Sequence, residues 1–143
     1  VSRILRNGAD GSPLVEDISV AVADLAESGV DFLYVGSSSF LLSNADLLTG
    51  AALDEGLPLA TAYEAMVRDS DALIALANAY YNVGQLAGRQ AERILVDGAT
   101  PGDLEVIGLD RFTVLINIDT AAKLGLYPPM LLLRYAEIIG GPQ

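Results

Sequence analysis

Three adjacent hydroxyls, Ser37, Ser38 and Ser39, follow the short apolar run of DFLYVGSSSF. At the carboxyl end of a strand in an open α/β sheet, the turn into the next helix exposes backbone N–H groups. Hydroxyls placed there can receive a carboxylate or another polar ligand group. The same residues also suit a polar linker whose last serine caps the following helix. Little else in the chain is reactive. With no histidine and no cysteine, it lacks the commonest general base and metal ligand, any thiol nucleophile and any disulfide. Lys123, in AAKLG, has no Ser-x-x-Lys partner and reads as a solvated charge, and no Gly-rich run has the spacing that cradles a phosphate. The carboxylates fall at helix edges and in turns, with no dyad to be read from their spacing. The expectation is a protein that binds without catalysis, with no catalytic residue, no metal site and no cofactor.

Other polar groups could share the serines' position. Tyr63 and Glu64 come just after a second strand-like run, LPLATA, where they are either a solvated loop or the lining of the same crevice. Asn78 offers a directional amide beside Tyr80 and Tyr81, aromatics that suit a core boundary as well as a ligand platform. Nucleic acid is excluded as a partner: 19 acidic against 8 basic side chains, a formal charge of −11, leave no basic face for phosphates. The apolar runs are broken well short of the ~20 residues a membrane helix needs.

The elements that must hold these residues are legible in outline. SPLVEDISVAVADLAESG predicts a helix capped by Ser12, begun by Pro13 and closed by Gly29, with Val15, Ile18, Val22 and Leu25 on one face. DFLYVG lacks alternation and predicts a short strand buried on both faces of a parallel sheet. A helix over residues 40–55, ended by Gly56, and a strand over residues 57–62 complete β-α-β. ALIALANAYY suits helix or strand. Residues 80–96 predict a helix with a stripe of Tyr80, Val83, Gly84, Ala87, Ala91, Ile94 and Leu95, while Asn82, Gln85, Arg89, Glu92 and Arg93 face away. RFTVLINID predicts a strand, TAAKLGL a short helix capped by Asp119 or Thr120, and PPMLLLRYAEII a terminal helix started by proline. The fold class expected is α/β, three-layer αβα with a mainly parallel sheet, in one domain over residues 1–143.

The order of these blocks resembles the ABC-transporter solute-binding family that includes tryptophan- and tyrosine-type binding proteins. The resemblance covers residues 31–139. Its most specific parts are Tyr80, Tyr81, Gly84, the GRQA of residues 88–91, Gly98, Pro101 and residues 116–125. It implies the second lobe of a type I periplasmic-binding-protein fold, which closes on a small solute and presents it to a membrane permease outside the cytoplasm. On that pattern Ser37, Ser38, Ser39, Tyr63, Glu64, Asn78 and Tyr80 line the cleft. The family commonly has an acidic residue where this chain has Ala79.

Two further expectations follow from that pattern. Val1 is not an initiator methionine, so the chain is expected to be a fragment or processed product, the C-terminal part of a two-lobed binder. The apolar stripe at Tyr80, Val83 and Ala87 would then lack its usual cover, and the fragment is expected to associate as a homodimer. A second reading from another class is the effector-binding module of a transcription regulator, which shares the architecture. A flavodoxin-like signalling domain would need an acidic phosphoacceptor where Gly36 and Ser37 stand.

Overall fold

The computed structural model describes residues 1–78, 80–109 and 112–141. Its first helix starts later than Ser12 and Pro13 suggest. The chain ahead of it folds back on itself: Gly8 N–H donates to the Ser12 carbonyl at 2.8 Å, Leu14 N–H donates to the Arg6 carbonyl at 2.9 Å, and Asn7 bridges Pro13 antiparallel. Pro13 is thereby held in an extended pairing and cannot open a helix. This turn delivers Arg6 to Asp17, whose carboxylate accepts from the Arg6 backbone N–H and Nε, both at 2.8 Å, and pairs with Nη2. Helix α1 runs Asp17–Glu27 with Glu16 at its N-cap. The expected exit holds, with Gly29 at φ +73°, a conformation that glycine adopts without penalty.

Three short strands, β1 (Leu33–Val35), β2 (Leu59–Thr61) and β3 (Ile74–Ala77), run parallel in register, with Leu33 beside Leu59, Val35 beside Thr61 and Thr61 beside Ala75. The ambiguous ALIALANAYY segment thus contributes a strand from its first half. The crossovers are α2 (Ser39–Ser43), α3 (Ala45–Asp54) and α4 (Glu64–Arg68). The single helix expected over residues 40–55 breaks at Asn44 (φ −116°, ψ 31°), whose side-chain amide donates to the Phe40 carbonyl at 2.8 Å. An amide side chain competing for a helix carbonyl is a known way to end a run of turns.

Helix α5 (Tyr80–Leu95) and a 3-10 turn at Pro101–Asp103 come next. Strand β4 (Thr113–Asn117) leads into α6 (Ile118–Lys123), then α7 (Met130–Leu133) and β5 (Ala136–Ile139). The sheet order is β1-β2-β3-β4-β5. Asn117 N–H donates to the Leu73 carbonyl at 2.9 Å, which sets the end of β4 beside the start of β3, so β4 opposes the first three strands. Strand β5 is parallel to β4, from Val114 beside Ala136 to Asn117 beside Ile139. The result is a mixed, mostly parallel α/β sheet. The terminal helix read from PPMLLLRYAEII is corrected: one turn forms, and the Ile138 and Ile139 end pairs with β4. β-branched residues lose less in a strand than in a helix, and an open neighbour supplies the ladder.

The chain divides into two compact units, residues 1–77 with residues 114 onward, and residues 78–113. In the first, Ile18, Val22, Leu48, Ala52, Met66 and Val67 from three helices pack on Leu33, Val35, Leu59 and Ala75. Each large side chain so buried contributes about 1.5–3 kcal/mol. These strand residues share one face. On the other, Tyr34 is 68% and Leu76 57% exposed, and Phe32 is exposed beside them. The expectation that β1 is buried on both faces therefore fails: its pattern is buried, exposed, buried.

Candidate functional site

Because β1 and β2 are parallel and in register, their carboxyl ends open on one edge of the first unit, and the residues that follow each strand emerge together. The structure brings Ser37, Ser38, Ser39, Tyr63 and Glu64 to that edge. Ser38, not Ser39, is the helix cap: its backbone is extended (φ −152°, ψ 111°) and its Oγ accepts from Leu41 N–H at 3.2 Å. Ser39 is already the first residue of α2. Ser37 and Ser39 are exposed, and their hydroxyls form no hydrogen bond with a described residue.

A residue that the sequence reading passed over organises the second turn. Thr61 is buried, and its Oγ1 accepts from Tyr63 N–H at 3.1 Å while facing Met66 Sδ at 3.5 Å. The signal was present, since a hydroxyl two residues before a turn commonly bonds the backbone there. Tyr63 is half-buried against the core and precedes α4 in an extended conformation. Glu64 opens α4 and pairs with Arg68 at 3.7 Å, one turn on. Arg68 is held more firmly by Glu137, with two parallel bonds of 2.7 Å. That fork raises the Arg68 pKa and holds the Glu137 carboxyl below its usual range.

Asn78 and Tyr80 belong to the second unit. Both are exposed, Tyr80 at 81%, and Tyr80 opens α5. Ala79, where the chain departs from the family pattern, lies outside the described residues.

The opposite edge of the sheet is built differently. Asn117 is buried; its amide donates to the Val67 carbonyl at 3.2 Å and the Ser70 carbonyl at 3.3 Å, and its Oδ1 accepts from Asp119 and Thr120 N–H at 3.1 and 3.0 Å. It caps α6, the role expected of Asp119 or Thr120. Lys123 pairs with Asp71 at 2.8 Å, which raises its pKa, so it is a protonated surface partner.

A concave space of about 240 Å³ beside α1 and β1 reaches Val35 and Leu41, which flank the serine turn, and two others lie away from the serines. One of about 570 Å³ lies between the α2–α3 break and α4, near Asn44, Asp46 and Ser70. Another of about 180 Å³ is apolar and bounded by Ile74, Ile116, Tyr127 and Leu132. The edge itself is an open surface, suited to holding one side of a ligand. No group of His, Cys, Asp and Glu among the described residues is placed to hold a metal ion.

A family model described as ABC transporter substrate binding protein matches residues 12–139. A tyrosine-binding protein of Clostridioides difficile (strain R20291) is 29% identical over 108 residues, which are 76% of this chain and 30% of that protein. A conserved domain protein of Vibrio cholerae superposes with a TM-score of 0.73 at 25% identity, over 88% of this chain and 42% of that one. An ABC domain in complex with L-Trp from Streptococcus pneumoniae superposes with a TM-score of 0.72 at 23% identity, over 89% and 43%. The chain therefore spans under a third of its curated relative and less than half of these two structures.

Proposed function

This chain belongs to the ABC transporter substrate binding protein family, and we propose that it supplies one side of the solute site of an importer's extracytoplasmic binding component. The observation that carries the reading is the convergence of Ser37, Ser39, Tyr63 and Glu64 on one strand-end edge, with two hydroxyls left without partners among the described residues. A small polar or amino-acid-like solute suits that edge. Its carboxylate is received by hydroxyls and turn amides, and its apolar part lies on the Tyr63 ring. Relatives named for tyrosine and solved with L-Trp support the solute class. Asn78 and Tyr80 stay in the proposal as solute contacts on the strength of the resemblance. Ser38 stays with them, in the double role of cap and contact. The reading assigns binding without chemistry, with a membrane permease as the partner that takes the solute on. The homodimer expected from the sequence is not part of it.

The test is an NMR titration of this chain with L-tyrosine, L-tryptophan and small carboxylates. Saturable shifts confined to the amides of residues 37–39 and 61–64 are expected, with weak affinity because one lobe supplies part of the contacts. Saturable shifts elsewhere with this edge silent would overturn the reading.

A further inference from the structure

The second unit holds an arrangement that the solute site does not use. Seen along α5, Asn82, Gln85, Leu86, Arg89, Gln90 and Arg93 recur at helical spacing on one face, opposite the apolar stripe of Val83, Ala87 and Ala91. By sequence alone this face is an ordinary solvated one. The structure instead lays Ile107, Gly108 and Leu109 alongside it, enclosing a groove of about 660 Å³, within the size range of small-ligand sites.

Two features set this groove apart. The chain is strongly acidic, and among the described residues Arg3, Arg6, Arg68 and Lys123 stand in ion pairs, while Arg134 is in none of them. Arg89 and Arg93, one turn apart, are in none of these pairs. The other described residues lining the groove carry amides and aliphatic side chains, and Glu92 lies between the two arginines along the helix. Arg93 is also held in place: its Nη1 donates to Gln90 Oε1 at 3.2 Å, while Gln90 Nε2 donates to the Glu105 carbonyl at 3.3 Å. One glutamine thus ties the crossing segment to the helix and orients a guanidinium.

We propose that this groove is an anion site for an amphiphilic organic carboxylate. The carboxylate head sits across Arg89 and Arg93, and the apolar body runs along Leu86, Ile107 and Leu109. Guanidinium groups match a planar oxyanion with paired donors, which an ammonium cannot do. The net charge of −11 does not forbid this, because at physiological salt charges beyond ~8 Å are largely screened and the two local cations dominate. The inference is independent of the solute reading: its residues and its ligand are different.

The experiment titrates the chain, labelled at arginine Nε, with octanoate below its micelle concentration, with acetate as the head alone and with inorganic phosphate. Octanoate is expected to saturate and shift the Arg89 and Arg93 Nε–Hε signals, with acetate at least tenfold weaker. Arg89→Gln with Arg93→Gln, both exposed and expected to fold normally, should weaken octanoate at least tenfold. Ile107→Ser should weaken octanoate and leave acetate unchanged. Octanoate binding that survives the double substitution would overturn the site. Phosphate or acetate binding as tightly as octanoate would overturn the ligand class. A silent edge at residues 37–39 in the tyrosine titration would leave this proposal standing, so the two failures are distinguishable.

Discussion

The two edges of the sheet in the first unit are made from similar residue types and put to opposite uses. At the carboxyl ends of β1 and β2, hydroxyls are exposed and two of three serines have no partner in the described chain. At the opposite edge Asn117 is buried and uses both ends of its amide on four backbone groups. A buried polar group must be satisfied from within, whereas an exposed one can exchange water for a ligand at little cost. Polar side chains therefore separate by whether their bonding capacity is already spent. Asn117 is architecture by that criterion, and Ser37 and Ser39 are surface on offer.

The largest test of this contrast is Asn117→Ala. It strips the cap from α6 and leaves the Val67 and Ser70 carbonyls unpaired, so a loss of roughly 2–3 kcal/mol in urea denaturation is expected. A change below half a kcal/mol would mean the two edges are not different in kind. Next is Ser39→Ala, where the effect moves to the ligand. Solute affinity should fall by about 1–2 kcal/mol where the hydroxyl meets a buried polar group. Stability should stay within about half a kcal/mol. The reverse pattern would make Ser39 structural.

Ser38→Ala falls between the two regions, because Ser38 is half-buried at the strand-end edge and already bonded to Leu41. A stability loss of about 1 kcal/mol from the lost cap is expected, read from the same denaturation curves. Ser38→Asn, which retains a capping oxygen, should recover most of it; no recovery would show that the Leu41 bond is not what Ser38 contributes.

The smallest effect is expected from acid. Hydrogen bonding from Arg6 to Asp17 and from Arg68 to Glu137 lowers both carboxyl pKa values in the folded chain. Stability from each is present above the ordinary carboxylate range and is lost as pH falls through the lowered folded value. The Arg68 and Glu137 side chains are both more than a third exposed, so their pair is worth at most about 1 kcal/mol. Arg68→Gln should flatten the acid limb of stability against pH by that amount; an unchanged limb would show that the fork contributes nothing measurable.

What the sequence disclosed about these regions follows the range of the interactions involved. The β1–helix–β2 order, the strand-end placement of the serines and the glycine exits rest on neighbours a few residues apart, and these read correctly. The failures needed distant partners. Pro13 does not start α1 because Asn7 pairs with it, and no periodicity reveals that bridge. The Leu-rich run at residues 130–139 looks helical until β4 stands beside Ile138. By residue type Asn117 caps as readily as Asp119 or Thr120, so only the fold, which sets the Val67 and Ser70 carbonyls against its amide, singles it out. At the candidate site, residue type located the serines, but which of them was already occupied depended on one hydroxyl reaching Leu41.

The bare face of the sheet, with Phe32, Tyr34 and Leu76 toward solvent, bears on how this protein behaves as a colloid. Molecules of charge −11 repel one another at low ionic strength, and that repulsion is what keeps such a face from finding another. Salt shortens the repulsion to a few ångströms while leaving the apolar attraction intact. The second virial coefficient from light scattering should therefore fall from positive toward negative as sodium chloride rises, and Tyr34→Lys, by placing a charge in the middle of the face, should hold it positive. On this account the acidic surface sets the range at which two such faces are held apart, and ionic strength is the variable that tunes it.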